Sequence, residues 1–212
     1  MNIDSVAYSI QVAGTVAFAV TAVIAVAPKG IDLFGACVMG IITAVGGGTI
    51  RDLILGVPVF WSLDLTYIWT AVAASVVAFF GVSAFTRRHL RSLMLYFDAL
   101  GIALFGTQAV SKTWDLGFGL PVAPVLLGII TAIGGGLLRD VLAGRQTLLM
   151  SREIYAVPVL LGTLVFVAIL EFMPEHRDVG ALVCFSLIFA LRAAAIRWSL
   201  TMPAWLTTTP SP

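Results

Sequence analysis

Charge is scarce in this chain. Of its 212 residues only 11% are charged, against about 25% in an average soluble domain. The 12 Lys and Arg and the 11 Asp and Glu leave a formal net charge of +1, which excludes a basic nucleic-acid-binding surface and an acidic solvating tail. Histidine is scarcer still. His89 and His176 fall in connections between apolar runs, so no Ser-His-Asp or Cys-His arrangement and no metal-ligand spacing can be drawn. Both cysteines, Cys37 and Cys184, lie inside apolar runs, where a thiol acts as a small hydrophobe rather than as half of a disulfide. There is no phosphate-binding glycine loop or dinucleotide fingerprint, so ATP-driven pumping and catalysis have no residues to rest on. The start MNIDSVAYSI carries Asp4 and no basic leader, and the first apolar run therefore reads as a retained helix rather than a cleaved signal.

Apolar residues, in contrast, make up 60% of the chain, too much for so few charges to cover in water. A membrane span needs about 20 mostly apolar residues, and such runs occur at 6–27, 32–56, 65–86, 92–111, 121–144, 155–173 and 179–200. Backbone in lipid must satisfy its own hydrogen bonds, so each run is expected to be a helix. The expected fold is an all-α polytopic membrane protein with seven transmembrane helices. Basic residues fall mostly in the connections after the first, third, fifth and seventh runs: Lys29, Arg87, Arg88, Arg91, Arg145, Arg152 and Arg197, with Arg192 close by. The opposite side has Lys112 and Arg177. The positive-inside rule then puts the N-terminus outside and the C-terminus in the cytosol. The Arg87–Arg91 cluster also suits anionic lipid headgroups.

The chain contains an internal repeat. GIITAVGGGTIRDLILG, from Gly40 to Gly56, matches GIITAIGGGLLRDVLAG, from Gly128 to Gly144. At the same spacing of 88, Tyr67 meets Tyr155; upstream, Phe18 meets Phe105 at 87. The repeat unit spans three runs, an odd number, so the second copy enters the membrane from the other side and the repeat is inverted. The expected organisation is a first three-helix repeat over 1–90, an inverted second repeat over 91–176, a seventh helix over 177–200 and a polar tail over 201–212, all within one membrane domain.

The repeated segment carries the chemistry. Glycine disfavours a helix interior by about 1 kcal/mol relative to alanine, so Gly46, Gly47 and Gly48, and again Gly134, Gly135 and Gly136, predict a kink or break at membrane depth. Freed backbone groups there must be buried in protein or line a wet cavity, as at transporter and channel sites. Close helix packing on small residues is the alternative use of the same glycines. Arg51, Asp52, Arg139 and Asp140 are charges at membrane depth, where each is disfavoured by on the order of 2.5–3.5 kcal/mol or more. They are expected either to clamp helices together or to line a pathway. Neighbouring residues point about 100° apart on a helix, so Arg and Asp need not face each other, and a partner on another helix is the alternative to pairing with the neighbour. Thr43 and Thr131, one turn before the glycines, offer hydroxyl oxygens to a hard cation or bond their own helix. Asp98 is expected to pair with Arg91 or Arg51, and Lys112 to snorkel outward. Glu171 is expected to reach water. Tyr67, Tyr155, Trp61, Trp69, Trp114, Trp198 and Trp205 suit interfacial belts.

GGGTIRD and GGGLLRD, in two three-helix halves with a seventh helix, resemble the trimeric intracellular cation (TRIC) channel family, in its compact bacterial and archaeal branch, and equally a repeated glycine-transporter-type membrane domain. The resemblance covers residues from about 5 to 198. It implies a homotrimer in a prokaryotic plasma membrane, in contact with lipid, each protomer with its own pore lined by kinked second and fifth spans. The permeant species would be monovalent cations, mainly potassium and also sodium, passing without a fixed metal site or cofactor. The triple glycines would be the kink sites, and Arg51, Asp52, Arg139 and Asp140 the charged positions near the pore, with Asp98 and Lys112 adjacent. A small carrier for glycine or another amino acid fits an inverted repeat equally well, and a membrane scaffold is a third class.

Overall fold

The computed structural model describes residues 3–203. Among them the chain forms eight α-helices: α1 (Ile3–Val26), α2 (Leu33–Leu55), the single turn α3 (Phe60–Leu63), α4 (Thr66–Gly81), α5 (Arg87–Asp115), α6 (Val122–Leu142), α7 (Ala156–Phe172) and α8 (Arg177–Trp198). Six helical segments are long and apolar enough to cross a membrane, and α7, with 17 residues, is a shorter apolar helix. The expected all-helical membrane architecture is present. Most of the expected tail lies outside the described residues, as does Trp205.

Helix ends follow local rules. Asp32 caps α2 by accepting the Gly35 N–H at 2.7 Å, and Gly56 closes it in the left-handed conformation at φ 67°, where a Cβ would be strained. The Arg87–Arg91 cluster, expected as a connection, is instead the first turn of α5. Thr86 caps that turn. At its other end α5 continues to Asp115.

The helices pack in matching triples. Contacts of α1 with α2, α1 with α4, and α2 with α4 recur as α5 with α6, α5 with α7, and α6 with α7. The two triples join through α1 against α5 and α2 against α6, and α8 packs on α5 and α7. At the α1–α5 contact, Phe18 lies over Gly101 and Phe105 over Gly14, with ring centroids 5.4 Å apart. Each ring fills the notch left by a missing Cβ, so these glycines are packing surfaces. Phe18, Ile102, Val159, Phe166 and Ile188 centre the core and are buried.

Of the kink or break expected at the triple glycines, the break is absent. Both α2 and α6 run without interruption through Gly46–Gly48 and Gly134–Gly136. Close packing is the use the structure makes of them. A Cβ on Gly47 would overlap the carbonyl oxygen of Thr131, and one on Gly135 that of Thr43. The two backbones meet at these points, and the neighbouring helix compensates the weak intrinsic helicity of glycine.

Candidate functional site

The α2–α6 contact carries two ion-pair clusters, one on each side of the glycine crossing. In the first, Asp52 Oδ1 accepts from Arg51 Nε at 2.8 Å and from Lys112 Nζ at 2.7 Å. Its Oδ2 accepts the Phe60 backbone N–H at 2.9 Å. Arg51 Nη1 donates to Gln108 Oε1 on α5. In the second, Asp140 Oδ1 accepts from Arg139 Nε at 2.8 Å, and its Oδ2 accepts the Leu148 N–H at 3.2 Å. Arg139 Nη1 donates to Asp98 Oδ1 at 2.7 Å and to Thr21 Oγ1 at 3.0 Å. Arg51, Asp52, Arg139, Asp140 and Asp98 are all buried, none more than 2% exposed. Buried charges persist only when paired and hydrogen-bonded; every charge in both clusters is paired, while Asp98 Oδ2 and Arg139 Nη2 in the second are buried without a hydrogen-bond partner among the described residues.

The clusters follow one plan. Phe60 and Leu148 stand eight residues after their aspartates and 88 residues from each other. Gln108 and Thr21, the arginine partners, are 87 apart, the same spacing as Phe18 and Phe105. The clusters differ through α5, which places Lys112 in the first and Asp98 in the second. Counting side-chain charges alone, the first carries Arg51 and Lys112 against Asp52, and the second Arg139 against Asp98 and Asp140. Asp98 and Lys112 are 14 residues apart, about 21 Å along a helix axis.

Several expected partners change. Arg and Asp bond within each pair, the long guanidinium spanning the rotation of about 100° between neighbouring side chains. Asp98 pairs with Arg139, not with Arg91 or Arg51, because its face of α5 packs on α6. The Lys112 ammonium reaches Asp52 and its side chain stays 27% exposed. The hydroxyls of Thr43 and Thr131 find no partner among the described residues, whereas Thr15, Thr107, Thr113 and Thr163 each donate to a carbonyl four residues back. Tyr67 and Tyr155 are buried at 5% and 3% exposure rather than interfacial, and Arg192 stacks 5.0 Å from the Tyr155 ring. Trp61 donates to Thr49 Oγ1 at 2.9 Å. Trp69 and Trp198 are exposed, as interfacial residues would be, and Glu171 is exposed as expected.

Beside the second cluster two cavities of about 360 Å³ and about 330 Å³ open. They share Arg91, Met94 and Arg145; Leu148 and Glu153 line the larger, Lys29 the smaller. Arg145 reaches Ala25 O at 3.5 Å and Met94 Sδ at 3.4 Å. Among the described residues no group of three His, Cys, Asp or Glu could hold a metal ion.

The family model described as glycine transporter matches this chain twice, at residues 8–83 and 95–171. The inner membrane protein YadS of Escherichia coli (strain K12) is 34% identical over 199 residues, covering 93% of this chain and 95% of that protein. A membrane protein of Vibrio cholerae is 33% identical over 205 residues, or 96% of this chain and 84% of its own. The crystal structure of the TRIC trimeric intracellular cation channel orthologue from Rhodobacter sphaeroides superposes with a TM-score of 0.86 at 35% identity, over 92% of this chain and 100% of that one. The chain belongs to the TRIC family. A prokaryotic TRIC channel solved in 0.5 M KCl is also similar, with a TM-score of 0.86 at 26% identity over 94% of this chain.

The TRIC repeat accounts for the residues that motif reading passed over. Phe60, Leu148, Gln108 and Thr21 belong to no motif. The spacings of 87 and 88 already visible in the sequence nevertheless link Phe60 to Leu148 and Thr21 to Gln108.

Proposed function

We propose that this protein is a monovalent-cation channel, permeable to potassium, with a pathway in each protomer between α2 and α6. The observation that carries the reading is the pair of buried Arg-Asp clusters flanking the α2–α6 crossing, in a chain similar over most of its length to proteins described as cation channels. Asp52 and Asp140 neutralise arginines that would otherwise repel cations, and the unpaired hydroxyls of Thr43 and Thr131 supply oxygens at the crossing. Thr43, Gly46, Gly47, Gly48, Thr131, Gly134, Gly135 and Gly136 form the packed crossing that the narrow part of the pathway runs beside, and Asp98 and Lys112 bias its two ends.

The same reading makes the protomer an inverted repeat with seven crossings. Asp115, at the end of α5, pairs with Arg177 at 2.5 and 2.6 Å, which supports putting the two on one side of the membrane. An even number of crossings must separate them, and α6 and α7 supply two. Met202 N–H donates to Arg152 O at 2.8 Å, which applies the same parity to α7 and α8. The protein would assemble as a homotrimer in a prokaryotic inner membrane, N-terminus outside, with lipid headgroups at the basic end of α5.

Purified protein in planar bilayers under a KCl gradient is expected to give unitary currents reversing near the potassium potential. Absence of current together with saturable uptake of labelled glycine into proteoliposomes would replace this reading with the carrier. Neither current nor uptake would leave a scaffold.

A further inference from the structure

The two aspartates are more fully occupied than an ion pathway requires. Arginine holds Oδ1 of each, and a backbone N–H from the connection eight residues on holds Oδ2. We propose that Phe60 and Leu148 are the apolar plugs of the pathway, and that each aspartate exchanges its plug's amide for a passing cation. The inference rests on the channel reading above.

Bond strengths decide which contact yields. Guanidinium and ammonium bonds to the carboxylate pair two charges, whereas the amide is a neutral donor and the weaker partner. A cation competing for Oδ2 therefore displaces Phe60 or Leu148 first. The apolar side chain moves with its backbone. The Phe60 ring stands 2.6 Å from where a Cβ on Gly48 would be, edge-on to Tyr67 at 4.9 Å between centroids. Leu148 packs with Met94 and Leu95 and lines the 360 Å³ cavity. Each aspartate is thus covered by an apolar residue that excludes water until the amide is released, which is gating by dewetting.

Comparison of proline with alanine separates the amide from the side chain. Phe60 and Leu148 are both first residues of short helical turns, and Val59 (ψ 129°) and Thr147 (ψ 147°) before them are already extended. Proline is accommodated at that position and removes the donor together with the apolar side chain, whereas alanine removes the side chain and keeps the donor. In bilayers, Phe60→Pro and Leu148→Pro are expected to raise open probability about fivefold to tenfold above the alanine variants at the same positions, the equivalent of one hydrogen bond. Phe60→Ala and Leu148→Ala keep the amide, remove the plug, and are expected to raise it as well. Folded variants that all conduct like wild type would overturn the proposal. A second measurement needs no current. Hydrogen exchange at the Phe60 and Leu148 amides of wild-type protein in nanodiscs is expected to be several-fold faster in potassium than in N-methylglucamine. Equal rates in the two salts would also overturn it. Absence of wild-type current with faster exchange in potassium would sink the channel reading and leave the exchange of partners standing.

Discussion

The buried Arg-Asp pairs show what sequence can and cannot give at the scale of a residue. Four charges at membrane depth are conspicuous in a chain with so few, and their repetition makes them unmistakable. Their partners are not legible, because Gln108, Thr21, Asp98 and Lys112 arrive from helices whose rotation is fixed only by packing. Burial then ranks the four. Arg139 compensates two buried carboxylates, Asp98 and Asp140. Removing one member of a buried pair leaves an uncompensated charge and is disfavoured by about 3–5 kcal/mol. Lys112 is 27% exposed, and Asp52 retains Arg51 and the Phe60 amide without it. Arg139→Gln is therefore expected to lower the thermal midpoint in detergent far more than Lys112→Gln, which should lose no more than about 1 kcal/mol. Similar losses for both would mean that Asp98 and Asp140 do not depend on Arg139.

At the scale of an element, the apolar runs predicted where helices lie, but glycine was ambiguous. Three glycines in sequence read equally as a break or as a packing surface, and the choice depends on what faces them. Here the facing atoms are backbone at Gly47 and Gly135, but at Gly46 the end of the flexible Leu138 side chain. Gly47→Ala and Gly135→Ala must push α2 and α6 apart. They are expected to unfold or disassemble the protein, read as loss of the main peak in size exclusion. Gly46→Ala displaces a methyl group only and should be tolerated. Gly81→Ala, with nothing within 4 Å of its new Cβ, should stabilise α4 by up to about 1 kcal/mol. If Gly47→Ala gave a well-assembled protein of wild-type stability, the backbone contact would not be what holds the two helices together.

The whole molecule is ordered by parity. The positive-inside rule gives orientation from loop charges, and the repeat gives inversion from an odd number of runs. Both depend on α7 crossing the membrane, and α7 is the apolar helix that falls short of the six spanning segments. At 17 residues it is about 26 Å long, slightly under a typical hydrocarbon thickness of about 30 Å. The Asp115–Arg177 pair ties the end of α5 to the start of α8, which is what the proposed crossing by α7 requires. A background with Cys37→Ser and Cys184→Ala allows the sidedness to be read with single cysteines at exposed positions. An impermeant maleimide added to intact cells is expected to label Leu116→Cys and Glu175→Cys, on either side of the α6–α7 hairpin. Ser83→Cys and Gln146→Cys should be labelled only after the membrane is opened. Labelling of Glu175→Cys together with Gln146→Cys from the same side would mean that α7 does not cross. The protomer would then have six spans, its termini would share a side, and the second half could not be the inverted copy of the first.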